Sequence, residues 1–208
     1  MDLVKLKSDW MKVSCQWGGS NDTAQSGFVD LCECYQNKTR FYHTLEHVVN
    51  MLTLAEQYRD MIKSPEAIYF ATWFHDAIQS IGKDNEKESA LYAAKVLEGL
   101  NVPQEIINKV RKMIFATKDH SEQNDEDVKL FIDLDLAILA SDNKTYVKYQ
   151  DNCRKEYLIP NWMYKKGRVK FIKSMLKSKS IFQTVIFQNQ YEQPAIKNIQ
   201  QELSRYTN

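Results

Sequence analysis

Apolar residues recur every three or four positions through most of this chain, and the breaks between runs carry helix-start signals. In "FYHTLEHVVNMLTLAEQY", Leu45, Val48, Val49, Leu52 and Ala55 share one helical face. "KSPEA" opens the next run, with Ser64 suited to the N-cap and Pro65 to the first helical position. "NVPQEIINKVRKMIFATKDH" repeats the device, with Pro103 near its start and Ile106, Ile107, Val110, Met113 and Ile114 along one side. "WGGSND" is expected to stop a first amphipathic helix and cap a second, and "SIGKDNEKESA" to turn into a new helix capped by Asp84 or Asn85. Further helices are expected over Asp125–Ala140, Asn143–Tyr157, Trp162–Leu176 and Glu192–Tyr206. Only six Gly and four Pro stand in 208 residues, too few for many short strands joined by turns. The prediction is an all-α fold.

One segment reads two ways. "FIDLDLAIL" alternates like a strand, which would put Asp133 and Asp135 on the same side. As a helix it would point them about 200° apart. The helix is favoured, because "NDEDVK" is a capping-type start and no other strand is evident to pair with it.

At 43% hydrophobic content, the chain can bury one substantial core, so 1–208 is read as a single all-helical domain with residues 1–40 as an N-terminal helical extension. The 28 basic and 27 acidic residues leave a formal charge of +1, which gives no electrostatic case for a nucleic-acid or membrane-surface partner. Cys15, Cys32, Cys34 and Cys153 form no C-x-x-C pair and are read as reduced thiols. The segment "MDLVKLKSDWMKVS" breaks its apolar residues with charges, and no uncharged run is long enough to span a bilayer. A cytoplasmic protein is expected. The oligomeric state is left open.

Four histidines carry most of the chemical interest: His43, His47, His75 and His120. His43 and His47 are four apart, which on a helix stacks them on one face. His75 and Asp76 stand back to back at the end of the apolar run "IYFATWFHDAIQS". A His-Asp dipeptide alone is weak evidence, and a histidine on an apolar helix is commonly a hydrogen-bonded core residue. The acids in "VKLFIDLDLAIL" are harder to dismiss, since an ionised carboxylate buried without a partner costs several kcal/mol. Basic groups, backbone N–H groups or a cation would each serve as partner. Imidazoles and carboxylates from separate helices, converging in a bundle, suit a divalent first-row metal. His47, His75, Asp76 and Asp135 are the proposed ligand set.

The order "H…HD…D" resembles the HD superfamily of metal-dependent phosphohydrolases, and most closely a subgroup of predicted HD phosphohydrolases of unknown substrate. "RFYHTLEHV", "ATWFHDAI", "DNEKESA", "FATKDH" and "FIDLDLAILA" carry the resemblance in sequence, and it spans roughly Arg40 to Leu203. It implies an HD-domain-like helical bundle with a divalent ion (Mn, Mg, Fe, Co, Ni or Zn) and hydrolysis of a small phosphorylated metabolite or nucleotide. It also favours Asp135 over Asp133 as the last ligand, because a hydrophobic turn follows it.

On this reading Asp76 orients or deprotonates the attacking water, and Glu86, in "NEKESA", is the candidate acid for the leaving oxygen. Glu86 also suits a first helical turn for dipole reasons alone. Arg40 and Lys118 would hold phosphate oxygens, or serve as ordinary salt-bridged surface residues. His43 and His120 would contact phosphate, bind a second metal or support the ligands. The basic run "YKKGRVK" is read as a solvated helix face, and Tyr69, Phe70, Trp73 and Phe74 as core. Two alternatives remain: a non-catalytic HD-like module that binds a nucleotide or phosphate, and a helical bundle whose His and Asp residues are merely buried and paired.

Overall fold

The computed structural model describes residues 2–80 and 84–207. Among these there are ten α-helices, two short 3-10 turns and no strand, so the all-α expectation holds. Ile81, Gly82 and Lys83, within the turn expected before "NEKESA", lie outside the described residues. The chain forms two compact units, one of residues 1–38 and 43–121, the other of 39–42 and 122–208.

The first unit contains α1 (Leu3–Ser14), α2 (Asn21–Tyr35), α3 (Leu45–Gln57), α4 (Pro65–Phe74), α5 (Asn85–Gly99) and α6 (Gln104–Ala116). Helix α4 is apolar on nearly every side, with Ala67, Ile68, Phe70, Ala71, Thr72, Trp73 and Phe74 all buried. A helix without a polar stripe must be wrapped by others, and α3, α5 and α6 all pack on it. The N-terminal helices close the rest: Trp10 packs edge-on against Phe70 and Trp73, and Phe28 against Trp73. The Trp10 indole N–H, fully buried, donates to Ala24 O at 2.7 Å. Residues 1–38 are therefore part of this unit's core. "WGGSND" does separate α1 from α2, with Ser20 as the α2 N-cap accepting from Thr23 N. Gly19 is required there, because a Cβ would lie 2.7 Å from Leu100 O at the end of α5.

Ser64 corrects one expectation. It precedes α4 at the N-cap, but its hydroxyl makes no cap bond and accepts instead from Lys109 Nζ at 3.1 Å. Asp84 does cap α5, accepting from Lys87 N.

The second unit contains α7 (Glu126–Leu136), α8 (Asn143–Glu156), α9 (Asn161–Lys177) and α10 (Val185–Thr207). "FIDLDLAIL" is the end of α7 followed by a 3-10 turn over Ala137–Ala140, so the helical reading is correct. Helix α10 begins seven residues before the expected Glu192 and carries Pro194 inside it. Its start is stabilised from elsewhere in the unit. The Asp133 carboxylate accepts from Gln183 N and Thr184 N, both at 2.7 Å, and from Thr184 Oγ1 at 2.6 Å. Glu192 meanwhile accepts from Ile181 N and Phe182 N and from Ser180 Oγ. "YKKGRVK" is a solvated face as expected, except at Tyr164, which is buried, and at Arg168. That guanidinium makes a bidentate pair with Glu202, at 2.7 and 3.0 Å, and donates to Tyr149 OH.

Candidate metal centre

The end of α4 builds the site. Helix α4 stops at Phe74, so the His-Asp pair lies just beyond its end, with His75 at the C-cap. The last carbonyls of a helix lack intrahelical partners and must find others. Here His75 N donates to Ala71 O, Ala77 N to Phe74 O, and the Tyr35 hydroxyl to Trp73 O at 2.8 Å. The remaining carbonyl, Thr72 O, lies 3.0 Å from His75 Nδ1. A carbonyl can only accept, so Nδ1 carries a proton there. The ring is thereby locked, with Nε2 turned away from the helix end.

His47 reaches the same point from α3. It sits on the buried face of that helix with Val48 and Met51, and its Nε2 is 3.2 Å from His75 Nε2. His43 does not share the helix: α3 begins at Leu45 behind the N-cap Thr44, and His43 precedes both. Thr44, whose hydroxyl accepts from Glu46 N, turns the chain so that the His43 and His47 rings still meet edge to face at 6.0 Å.

Asp76 Oδ2 is the common point. It lies 3.1 Å from His75 Nε2, 3.9 Å from His47 Nε2 and 3.8 Å from His43 Nε2. His47 and His75 are almost sealed, with side chains 4% and 1% exposed, whereas Asp76 is 31% and His43 24% exposed. The cluster therefore has a closed inner side and an accessible outer one.

The electrostatics are specific. With Nδ1 protonated, a neutral His75 offers only a lone pair at Nε2. That lone pair faces a carboxylate oxygen 3.1 Å away, and both groups accept. A cation or an additional proton must lie between them. The separations of His47 Nε2, His75 Nε2 and Asp76 Oδ2, 3.1 to 3.9 Å, resemble those of ligands that share one ion. Bonds of about 2.0–2.2 Å place neighbouring ligands roughly 3.0–3.5 Å apart. The donor set thus fits a divalent metal.

Behind Asp76 the backbone is braced by α5: Ile78 N donates to Ser89 Oγ at 3.1 Å, and Ser80 N to Asn85 Oδ1 at 2.9 Å. Asn85 and Ser89 belong to "NEKESA", and Thr72 lies three residues before His75. These positioning roles were missed in the sequence, since a side chain's use by a distant backbone N–H leaves no local periodicity.

The other expected site residues are placed as follows. Glu86 lies half-buried in the first turn of α5. Lys118 is exposed and paired with Asp84, Nζ to Oδ2 at 2.6 Å, a contact that raises the lysine's pKa and lowers the aspartate's. His120 follows α6 with φ 55°, a left-handed turn position that caps the helix through His120 N to Ala116 O. Arg40 and Asp135 belong to the second unit, Arg40 buried and Asp135 half-buried on α7. Asp133 is not a ligand candidate. It is fully buried, and the N–H groups of Gln183 and Thr184, just before α10, and the Thr184 hydroxyl are partners of its carboxylate. Burial pushes its carboxyl up to about 6, against those hydrogen bonds.

No family model matches the chain, and no curated protein or solved structure matches it. No helix among the described residues is long and apolar enough to cross a membrane.

Proposed function

We propose that this protein is a metal-dependent phosphohydrolase acting on a small phosphorylated metabolite or nucleotide, with one divalent ion held by His47, His75, Asp76 and Asp135. The observation that carries the reading is the Nδ1 bond of His75 to Thr72 O, which aims Nε2 at Asp76 Oδ2, 3.1 Å away, beside His47 Nε2, in the arrangement of ligands around one cation. Asp135 enters through its residue type and its place in the motif order.

The ion would supply Lewis acidity, lowering the pKa of water and polarising phosphoryl oxygens. The chain's own groups do the rest. Asp76, 31% exposed at the accessible side of the cluster, orients the nucleophilic water and accepts its proton. His43, half-exposed at the outer side 3.8 Å from Asp76, donates to a phosphate oxygen. Glu86 protonates the leaving oxygen. Lys118 would assist at the phosphate only by exchanging its Asp84 partner, and Arg40 and His120 are the remaining substrate-binding candidates.

Elemental analysis of untagged protein, paired with phosphate release from generic phosphomonoesters and nucleotides, tests this reading. The expected result is about one divalent ion per chain, with turnover abolished and metal reduced in Asp76→Asn. Protein that neither holds nor takes up a divalent ion, or an Asp76→Asn variant that turns over at the parent rate, overturns it.

A further inference from the structure

Helix α9 presents a surface that the proposed hydrolytic reaction does not use. Its sequence, "NWMYKKGRVKFIKSMLK", holds six basic residues and no acidic one. Arg168 turns inward to Glu202, on the side that also buries Tyr164, Ile172 and Met175. At about 100° per residue, Trp162, Lys166, Lys170, Lys173 and Lys177 all fall within roughly 60° of the opposite direction. Each of the five is exposed. Among the described residues, none of those four ammonium groups has an ion-pair partner. Lysines 166, 170, 173 and 177 also line a shallow depression of about 390 Å³ with Val169 and Ser174.

A lysine stripe alone is an ordinary solvated face. What distinguishes this one is its N-terminal end. Leu158 is 73% exposed and Trp162 65%, with Met163 beside them. These side chains are not on a loose loop. Arg154 ties the segment down, donating to Tyr157 O at 2.7 Å, Ile159 O at 2.9 Å and Asn161 Oδ1 at 2.6 Å, with its guanidinium 5.0 Å over the Tyr164 ring. A braced loop that holds a leucine and a tryptophan in water, continuous with an unneutralised row of lysines, has the parts of an interfacial anchor. Apolar side chains enter the headgroup boundary while the cations meet anionic lipid. Tryptophan favours that boundary because its ring is amphipathic.

We propose that this face of α9, with the loop before it, docks on an anionic phospholipid surface. The whole-chain charge of +1 does not oppose this, because a sum does not report segregation: six of the 28 basic residues stand on this one helix, which carries no acidic residue. A nucleic acid would meet the same lysines, but Leu158 and Met163 offer it neither stacking nor hydrogen bonds.

Co-sedimentation with phosphatidylcholine vesicles, with and without about one-third phosphatidylserine, tests the proposal. The full chain is expected to pellet only with the anionic vesicles, and less as salt rises. Lys166→Gln/Lys170→Gln/Lys173→Gln should lower partitioning about tenfold or more. Leu158→Ser/Trp162→Ser should lower it severalfold with every charge intact. All these positions are exposed, and circular dichroism confirms that the variants keep their helix content. Failure to pellet with anionic vesicles at low salt overturns the proposal. So does unchanged partitioning in the Leu158/Trp162 variant, which would leave only non-specific charge attraction. Preferential binding of an RNA duplex in direct competition would assign the face to nucleic acid instead.

Discussion

Glu202→Gln is the most incisive test of how the second unit is held together. Glu202 is 2% exposed, and its carboxylate accepts two bonds from Arg168 and one of 2.6 Å from Tyr146 OH. Glutamine keeps the volume but offers one acceptor oxygen, so its NH2 replaces one carboxylate oxygen against the Arg168 guanidinium, which can only donate. The guanidinium, with its side chain 9% exposed, is left buried without a counter-charge. Breaking one partner of a buried pair costs about 3–5 kcal/mol. For a chain of this size that is a fall in Tm of roughly 6–20 °C. The pH dependence gives a second handle. Burial pushes the Glu202 carboxyl up, but the Arg168 hydrogen bonds and charge, with Tyr146, outweigh it, so the folded pKa is lowered. A group depressed in this way stabilises the fold above its unfolded pKa and loses that stabilisation as pH falls through the folded value. The gap between wild type and Glu202→Gln in urea denaturation should therefore be widest near neutrality and close in acid. A Glu202→Gln protein as stable as wild type at neutral pH, or a gap that widens on acidification, would refute the account.

Asp133 should behave with the opposite sign. Its folded pKa is raised to about 6, so the advantage of wild type over Asp133→Asn should shrink as pH rises from about 4 to about 6, by up to roughly 3 kcal/mol. Near neutrality Asp133→Asn should remain less stable by about 1–3 kcal/mol, because one amide oxygen must replace a carboxylate that serves three donors. Denaturation titrations of both proteins measure this. Gly19→Ala should destabilise the first unit by about 1–3 kcal/mol, since the new Cβ meets Leu100 O at 2.7 Å and backbone cannot step aside cheaply; a thermal scan checks it. Lys118→Ala removes an exposed pair with Asp84, so Tm should stay unchanged. Any rise in KM for a phosphate ester in that variant would then report substrate contact rather than stability.

Helices were legible in this sequence because their signal is local. Apolar spacing and cap residues act within a turn or two, and α4, α6 and α8 begin within one or two residues of where those signals place them, whereas α3 begins four residues into its run and leaves His43 outside. The misplaced start of α10 shows the limit: the N–H groups of Gln183 and Thr184, just before it, are held by Asp133, some fifty residues earlier in the chain, and Pro194 hides a helix that runs through it. The site divides in the same way. Residue type and motif order singled out His47, His75 and Asp76. The tautomer and aim of His75 came from an unpaired carbonyl at the end of α4, and the bracing from Asn85 and Ser89 on another helix.

Two carboxylates in one apolar segment looked equivalent in the sequence. Asp133 was separated from Asp135 only when the N–H groups of Gln183 and Thr184, just before α10, met the buried one. By itself, then, the sequence determined which segments are helical and which residue types can bind a cation, because both depend on neighbours in the chain. The partner of each buried polar group was decided by tertiary structure alone, because a hydrogen bond between distant residues depends on the packing that carries them within reach.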